Sequence, residues 1–512
     1  MERSSQANVV SLESEELNFR RQYIIAPRDT VPLEGWTETD IGNGYMVSAH
    51  PHLQTTKVQL GDRTLVVLGF LLDPFDPTAD DEKIAGKLIE QSDSFTMLQD
   101  GLKQIAGRYV IIFVSQVGTR VFSDPAGFRQ IFHFQDRKGI RWVSSQPSLM
   151  ARFHELSKDE NVLEDLGKLA LFRDTTEYWF PGETSLFKGV FHLTPNHYFD
   201  MDSGQSVRYW PMENLEPLPR EECIESTALV LQGIMRSAVE RFDLSMAVTG
   251  GLDTRVLLAA SKDVADEIFF FTHTHERLNE NNSDITIPRS ISEKYDLNHN
   301  VVKYIKNIPD SYRETFHMNI PYARDNKLTN TYSIQKHFLD KGRDYMVVNG
   351  VCGEITRCFH RFPPFVKMSP RVLSVLVDMK GSRTAEMEFG RWLDKIEHSC
   401  PRGFDLLDLF YWENRNAKWA ALSYHEYDMG FDSLSPFNCR QVLEDFLSVD
   451  RSLRLPPSYS LHRELISYMW PDLMNWPINP PETSREKLVA GLKGSSFYEY
   501  LRMAKLVKKY LL

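Results

Sequence analysis

Leu244-Ser-Met-Ala-Val248-Thr-Gly-Gly-Leu-Asp-Thr254-Arg-Val-Leu-Leu-Ala-Ala260 is the stretch on which the fold turns. A short apolar run, Leu244 to Val248, meets Thr249-Gly250-Gly251-Leu252-Asp253-Thr254, and a helix-forming segment follows at once. This predicts a strand, a glycine turn and a helix N-terminus in immediate succession. Two glycines let backbone amides approach an oxyanion closely, with a hydroxyl on either side. The start of a helix adds unpaired N–H groups and the positive end of a dipole, so the loop favours phosphate. Asp253 does not belong in a pure anion site. A carboxylate among phosphates makes sense chiefly as a partner of Mg²⁺, which cancels the like-charge repulsion. A plain Gly-Gly turn is the bland alternative.

The flanks extend the pattern. Glu221 to Phe242 reads as an amphipathic helix, with Ile224, Leu229, Leu231, Ile234 and Ala238 near one face. Downstream, Glu267 to Thr272 reads as a second buried strand. A polar stretch follows, then a helix from about Asp284 to Tyr295 and a strand over Asn300 to Tyr304. A further apolar strand, Tyr345 to Val348, runs into Asn349-Gly350-Val351-Cys352-Gly353-Glu354. Strands alternating with helices imply a parallel sheet that binds ligands at the carboxyl ends of its strands. Both glycine loops lie at such ends, so they are expected to face each other across one site.

The first loop lacks the Gly-Lys-Ser/Thr close of a Walker A motif. It resembles the SGGLDS pyrophosphate loop of the N-type ATP pyrophosphatases (PP-loop proteins), with Thr249 and Thr254 in place of serines. The order of elements resembles the synthetase domain of asparagine synthetase and its relatives, β-lactam synthetase and the lasso-peptide cyclases among them. The resemblance implies that Thr249, Gly250, Gly251, Leu252, Asp253 and Thr254 bind the phosphates of ATP. It places backbone contacts to adenine near Phe271 and Thr272, and a Ser-x-Asp-like element at Asn282-Ser283-Asp284. The family's GEGxDE loop aligns with Gly350 to Ile355, which puts Gly350 at the nucleotide and Glu354 on the acid that holds Mg²⁺ with Asp253. Val351 stands where the family has its catalytic glutamate, and Ile355 where it has its last acid. A lysine in a C-terminal loop of the family steadies the phosphates; Lys487 is the candidate, with Arg485 and Lys493 as competitors. The base for the second step is unassigned, with His275, Glu276 and Glu280 as candidates by topology alone.

The first 215 residues resemble the glutaminase half of the same family. Gly107 to Val114, followed by Arg120 to Phe132, keeps Asp124, Gly127 and Arg129 at the polar positions of the glutaminase pattern. Trp142 to Gln146, Phe187 to Pro195 and Tyr209-Trp210 match its later elements. An αββα layered domain of the N-terminal nucleophile hydrolase type is therefore expected over 1–215, with a parallel-sheet ATP pyrophosphatase domain and helical C-terminal part over 216–512. Such a hydrolase needs Cys, Ser or Thr as its first residue, because its own α-amine serves as base. Met1 is followed by Glu2, and the first cysteine is Cys223. Glutamine hydrolysis is not expected of this domain.

Composition narrows the classes. The longest apolar runs fall well short of the roughly 20 residues that cross a bilayer, and the N-terminus has no apolar signal region. Five scattered cysteines argue for reduced thiols in cytoplasm rather than a disulfide framework. No Cys-x-x-Cys pair or zinc-spaced histidine cluster is present, which leaves Mg²⁺ as the implied metal. A net charge of −11 weighs against a nucleic-acid partner, although tRNA-modifying enzymes share the glycine-aspartate loop. Asn414 to Trp419 reads as a surface helix, with polar contacts to substrate as the alternative, and Trp470 to Pro480 reads as a loop fixed by proline.

The reading is an ATP-dependent amide-forming ligase, with ATP and Mg²⁺ as cofactors. A carboxylate is adenylated with release of pyrophosphate, then passed to ammonia or an amine. The acid is a small molecule or a peptide. Nitrogen comes from free ammonia, a separate glutaminase or an amine-bearing substrate, and a homo-oligomer is admitted. Asparagine synthase proper, a catalytically degenerate nucleotide-binding homologue and, behind them, a tRNA-modifying PP-loop enzyme are the alternatives.

Overall fold

The computed structural model describes residues 15–275, 281–363, 365–399, 401–481 and 496–511. Two six-stranded antiparallel sheets come first. One runs in the order Val190–His192, Phe132–Gln135, Arg141–Ser144, Tyr23–Pro27, Tyr45–Ala49, Thr37–Gly42. The other runs Ser206–Arg208, His197–Asp200, Gly118–Ser123, Ala106–Ser115, Arg63–Leu72, Thr55–Leu60. Side chains alternate across a strand, so each apolar run serves two layers. Val66, Leu68, Val110 and Ile112 meet Tyr23, Ile25 and Val47 between the sheets. Their neighbours Leu65, Val67, Ile111 and Phe113 pack outward against helices Asp81–Gln91 and Phe95–Gly101. On the far side Ile24, Phe132 and Trp142 pack on Leu149 and Met150 of the short helix Pro147–Met150. The layers are helix, sheet, sheet, helix, as expected.

The third sheet is parallel and five-stranded, in the order His299–Val302, Ile268–His273, Leu244–Ala247, Met346–Val348, Ser433–Leu434. Helix Arg220–Arg241 precedes it and buries Leu231, Ile234, Met235 and Ala238 in the main core. Helix Ser283–Tyr295 begins where the Asn282 side chain accepts the Asp284 N–H at 2.8 Å. The strand expected over 300–304 is shifted to His299–Val302, because the Tyr304 N–H donates to the Thr274 hydroxyl at 2.9 Å instead of to the ladder. In chain order the strands run 3-2-1-4-5. The order therefore reverses between Leu244–Ala247 and Met346–Val348, and a crevice opens at their carboxyl ends. Cys223, Cys352, Cys358 and Cys439 are buried free thiols, and no described helix is long and apolar enough to cross a membrane.

The sandwich is joined to the parallel sheet by buried charge. Arg108 bonds Asp428 with both terminal nitrogens and lies 2.9 Å from Asp432. Arg129 and Arg21 approach Asp432 at 3.4 and 3.9 Å. Asn438 donates to Asp124 and to the Gly107 carbonyl, both at 2.8 Å. Asp124 also accepts the N–H groups of Phe128 and Arg129 at 2.9 and 3.0 Å. The polar residues of the glutaminase-like pattern thus hold a turn and an interface. Burial alone would raise the Asp432 carboxyl, but Arg129, Arg108 and Arg21 outweigh it and hold the group down at about 2. A depressed carboxyl stabilises the fold above its unfolded value, near 4, and that contribution disappears as pH falls from about 4 to about 2. Asp432→Asn should therefore lose on the order of 2 kcal/mol at pH 6. In urea unfolding, the gap from the parent protein should narrow at pH 3; a gap of constant size would show that Asp432 acts through packing.

The segment expected to be a surface helix is buried. Asn414, Asn416 and Lys418 are each at most 3% exposed, on a π-helix spanning Tyr411–Ala420. Its polar residues are covered by both the sandwich and the C-terminal helices: Trp412 donates to the Pro125 carbonyl at 2.7 Å, and Glu413 holds Arg208 and Trp392.

Candidate active site at the carboxyl ends of the parallel strands

Beyond Ala247 the chain stays on the sheet for one residue. The Val248 N–H donates to the Phe271 carbonyl, and the Val248 carbonyl accepts the Thr272 hydroxyl, both at 2.8 Å. The turn then folds on itself. The Gly251 N–H donates to Thr249 Oγ1 at 3.1 Å, and the Thr249 and Thr254 hydroxyls lie 3.0 Å apart. Gly251 is the N-cap of helix Leu252–Ala260, with φ −73°, so its value is space rather than a left-handed backbone. A Cβ there would lie 3.0 Å from Thr249 Oγ1. No side chain caps this helix. Its first amides are left as donors at the positive end of the dipole. The Gly250 N–H donates to Asp284 Oδ1 at 2.9 Å, so a carboxylate already sits at an anion position of the loop.

The second loop packs directly onto the first. A Cβ on Gly350 would lie 2.8 Å from the Asp253 Cβ, and one on Gly353 would lie 3.0 Å from Asp253 Oδ1. Cys352 between them is left-handed at φ 86° and turns the chain into the short helix Gly353–Arg357. This turn delivers Arg357, which the sequence reading did not single out. Its Nη2 lies 2.7 Å from Asp253 Oδ2 and 3.5 Å from Glu354 Oε1. Asp253 and Glu354 are thus brought together around one guanidinium. Asp253 Oδ1 is buried with no hydrogen-bond partner among the described residues. Burial drives the Asp253 carboxyl up to about 7 against the pull of Arg357, with Glu354 adding to the rise. The three-residue spacing of Glu354 and Arg357 was the available signal, and an acid–base pair within one helical turn ordinarily satisfies only itself.

Other expected residues fall as follows. Phe271 and Thr272 are 1% and 2% exposed; the Phe271 ring lies in a cluster with Val302, Phe338 and Phe431, and Thr272 bonds Val248 and His299. Their side chains belong to the sheet, which leaves only backbone for a ligand. Val351 packs against the main core and Ile355 is buried within it, so apolar contacts occupy the two positions where the resemblance expects acids. His275 is exposed, two residues beyond the strand Ile268–His273. Glu276, Glu280, Arg485, Lys487 and Lys493 lie outside the described residues. The loop following Trp470 reaches the site: the Asn479 N–H donates to the Gly250 carbonyl at 2.9 Å. It is held by Arg255, which donates to the carbonyls of Leu473 and Pro477 at 2.9 and 3.3 Å, as well as by its prolines.

No group of three or more His, Cys, Asp or Glu stands ready for a metal among the described residues. Two carboxylates, one with a buried oxygen lacking a partner, do fit Mg²⁺, which keeps several waters and takes its remaining ligands from substrate phosphates. A cavity of about 410 Å³ lies instead at the amino ends of the strands, among Arg21, Arg241, Asp243, Asp344 and Asp432. Its charges are of both signs and largely paired, and open α/β sheets bind at the opposite end.

No family profile matches the chain, and no curated protein matches it. Among solved structures it is similar to the U34-tRNA thiolase NcsA from Methanococcus maripaludis, at 10% identity over 62% of this chain and 85% of that one, with a TM-score of 0.24. The phosphoribosylpyrophosphate amidotransferase from B. subtilis matches at 12% identity over 59% of this chain and 64% of that one, TM-score 0.22. A glutamine-dependent NAD⁺ synthetase from Acinetobacter baumannii matches at 11% identity over 50% and 55%, TM-score 0.20. The chain spans slightly less than two thirds of the amidotransferase and just over half of the synthetase. At such TM-scores the fold rests on the sheets themselves.

Proposed function

We propose that the chain is an ATP-dependent amide-forming ligase, divided after residue 215 into a non-hydrolytic layered domain and an ATP-cleaving domain. The observation that carries this is the meeting of Asp253 with the Gly350–Arg357 turn at the crevice where the strand order reverses. Thr249, Thr254 and the amides from Gly250 to Thr254 would receive the phosphates, with Asp284 yielding the Gly250 N–H to an entering oxygen. Asp253 and Glu354 would hold Mg²⁺, whose chemistry is to neutralise the pyrophosphate as it leaves. Arg357 keeps the two carboxylates together and adds positive charge beside the same group. Catalysis of this kind is mainly positioning and charge stabilisation. Lys487 is proposed to steady the pyrophosphate. The carboxylate substrate takes the adenylyl group, and ammonia or an amine then displaces AMP.

A second reading has its own support: Arg357 already neutralises Asp253, and Asp284 closes the Gly250 amide. A nucleotide-binding protein without turnover would look this way. One assay separates them. The protein is incubated with ATP, Mg²⁺ and a panel of carboxylates and amines, and the products are identified. AMP with pyrophosphate is the expected result. ADP with phosphate would overturn the ligase reading, and tight nucleotide binding without AMP across the panel would select the second.

A further inference from the structure

A second cavity lies between the sandwich and the Tyr411–Ala420 helix. Its walls include Phe132, Trp179, Tyr322 and Leu422, and its polar lining includes Gln130, Gln146 and Lys418. The centre of a water-sized molecule can range over about 60 Å³ there. At roughly 10–15 Å³ per water position, that is room for about five non-hydrogen atoms.

Lys418 is the unusual member. It is 3% exposed, and the bond its Nζ makes is a long one, 3.5 Å to the His192 carbonyl. An ammonium has three donors to satisfy. The acids facing it from each packed element are bonded elsewhere. Glu183, before the Val190–His192 strand, holds Lys395 at 3.1 Å. Glu388, from helix Arg383–Ser399, takes the Glu183 N–H at 3.0 Å and Arg391. Glu413, on its own helix, takes Arg208, Asn196 and Trp392. His192 stacks on Phe132 with ring centres 4.4 Å apart, and burial keeps its ring neutral. Burial brings the Lys418 amine down to about 7, against the pull of Glu183, Glu388 and Glu413. Lys418 lies on the buried face of the π-helix, and such helical turns recur at functional sites. Nothing in the proposed ATP chemistry uses it.

We propose that this cavity is a second ligand site, in which the Lys418 amine condenses reversibly with a small aldehyde or ketone. Nζ bonds to the carbonyl carbon, the C–O bond breaks, and the oxygen leaves as water with both amine protons, giving a C=N bond. The apolar walls receive a short hydrocarbon tail, and a desolvated amine is the usual activated form of a nucleophilic lysine.

Butanal, with five non-hydrogen atoms, is the probe, and borohydride fixes the adduct on the full chain at pH 7.5. Peptide mapping should find Lys418 butylated in preference to surface lysines by on the order of 10²-fold, since those remain protonated. The extent at Lys418 should rise with a midpoint near pH 7, while that of surface lysines is still climbing above pH 9. Leu422→Trp, which narrows the cavity, should lower labelling of Lys418 at least tenfold and leave the surface lysines as before. Adducts confined to surface lysines, a Lys418 midpoint that follows theirs, or equal Lys418 labelling in Leu422→Trp would each overturn the proposal.

Discussion

Asp253→Ala should abolish release of AMP from ATP, a loss of 10²-fold or more. The carboxylate stands at the first turn of helix Leu252–Ala260, and the second loop closes on it through Gly350 and Gly353. Removing one metal ligand beside several phosphate charges costs several kcal/mol in the transition state, and each 1.36 kcal/mol is about tenfold in rate. The structure changes the choice of variant. Asp253 is only 15% exposed and paired with Arg357, so alanine leaves that cation without its shortest partner. Breaking a partly buried pair is more costly than the roughly 0.5 kcal/mol of an ordinary surface change. Asp253→Asn keeps the volume and one acceptor for Arg357, and should be equally inactive while unfolding within about 1 kcal/mol of the parent protein. Gly251→Val should be inactive for a different reason, since its side chain would crowd Thr249 Oγ1 and the backbone at which the proposed function places a phosphate. Full turnover in Asp253→Asn would reduce the loop to a turn.

Arg108→Met should be the most destabilising single change at the interface, by about 3–5 kcal/mol. Arg108 and Asp428 are 1% and 0% exposed, and the arginine also bonds the Phe128 carbonyl at 3.2 Å. Its loss leaves Asp428 buried without its main partner and takes a cation from Asp432. Replacing both members, Arg108→Met with Asp428→Leu, should recover most of the stability, because the cost lies in the uncompensated charge. Chemical denaturation of the two variants checks this; a double variant no better than the single one would locate the effect in packing. The same contacts predict that deleting residues 1–210 yields insoluble protein. It would uncover Trp412, Tyr424 and Asn438 together with Asp428 and Glu413, an apolar face holding unpaired acids.

The parallel core was legible because its signals are local. Apolar runs of strand length and a glycine turn each depend on a few adjacent residues, and the alternation of strand and helix sets the sheet type. The layered domain was legible through its alternating strands, although the polar residues matched there prove to hold an interface. Arg357 was not legible. It is 104 residues from Asp253, and its nearest acid in the chain is Glu354, which a surface helix would explain equally well. Asn414 to Lys418 were misread for a related reason: a polar run looks solvated until another layer of the fold covers it.

By itself, then, the sequence determined four strands of the parallel sheet and the helices that follow its first two, the Thr249–Thr254 loop at a strand's carboxyl end and its approach to a second glycine loop; the edge strand Ser433–Leu434 was not legible. Tertiary structure alone decided which charges meet there, with Arg357 on Asp253 and Asp284 on Gly250, and which lysine is cut off from water. Backbone preference and hydrophobic period act over a few residues. Charge pairing and desolvation act between surfaces that only the assembled sheets bring together.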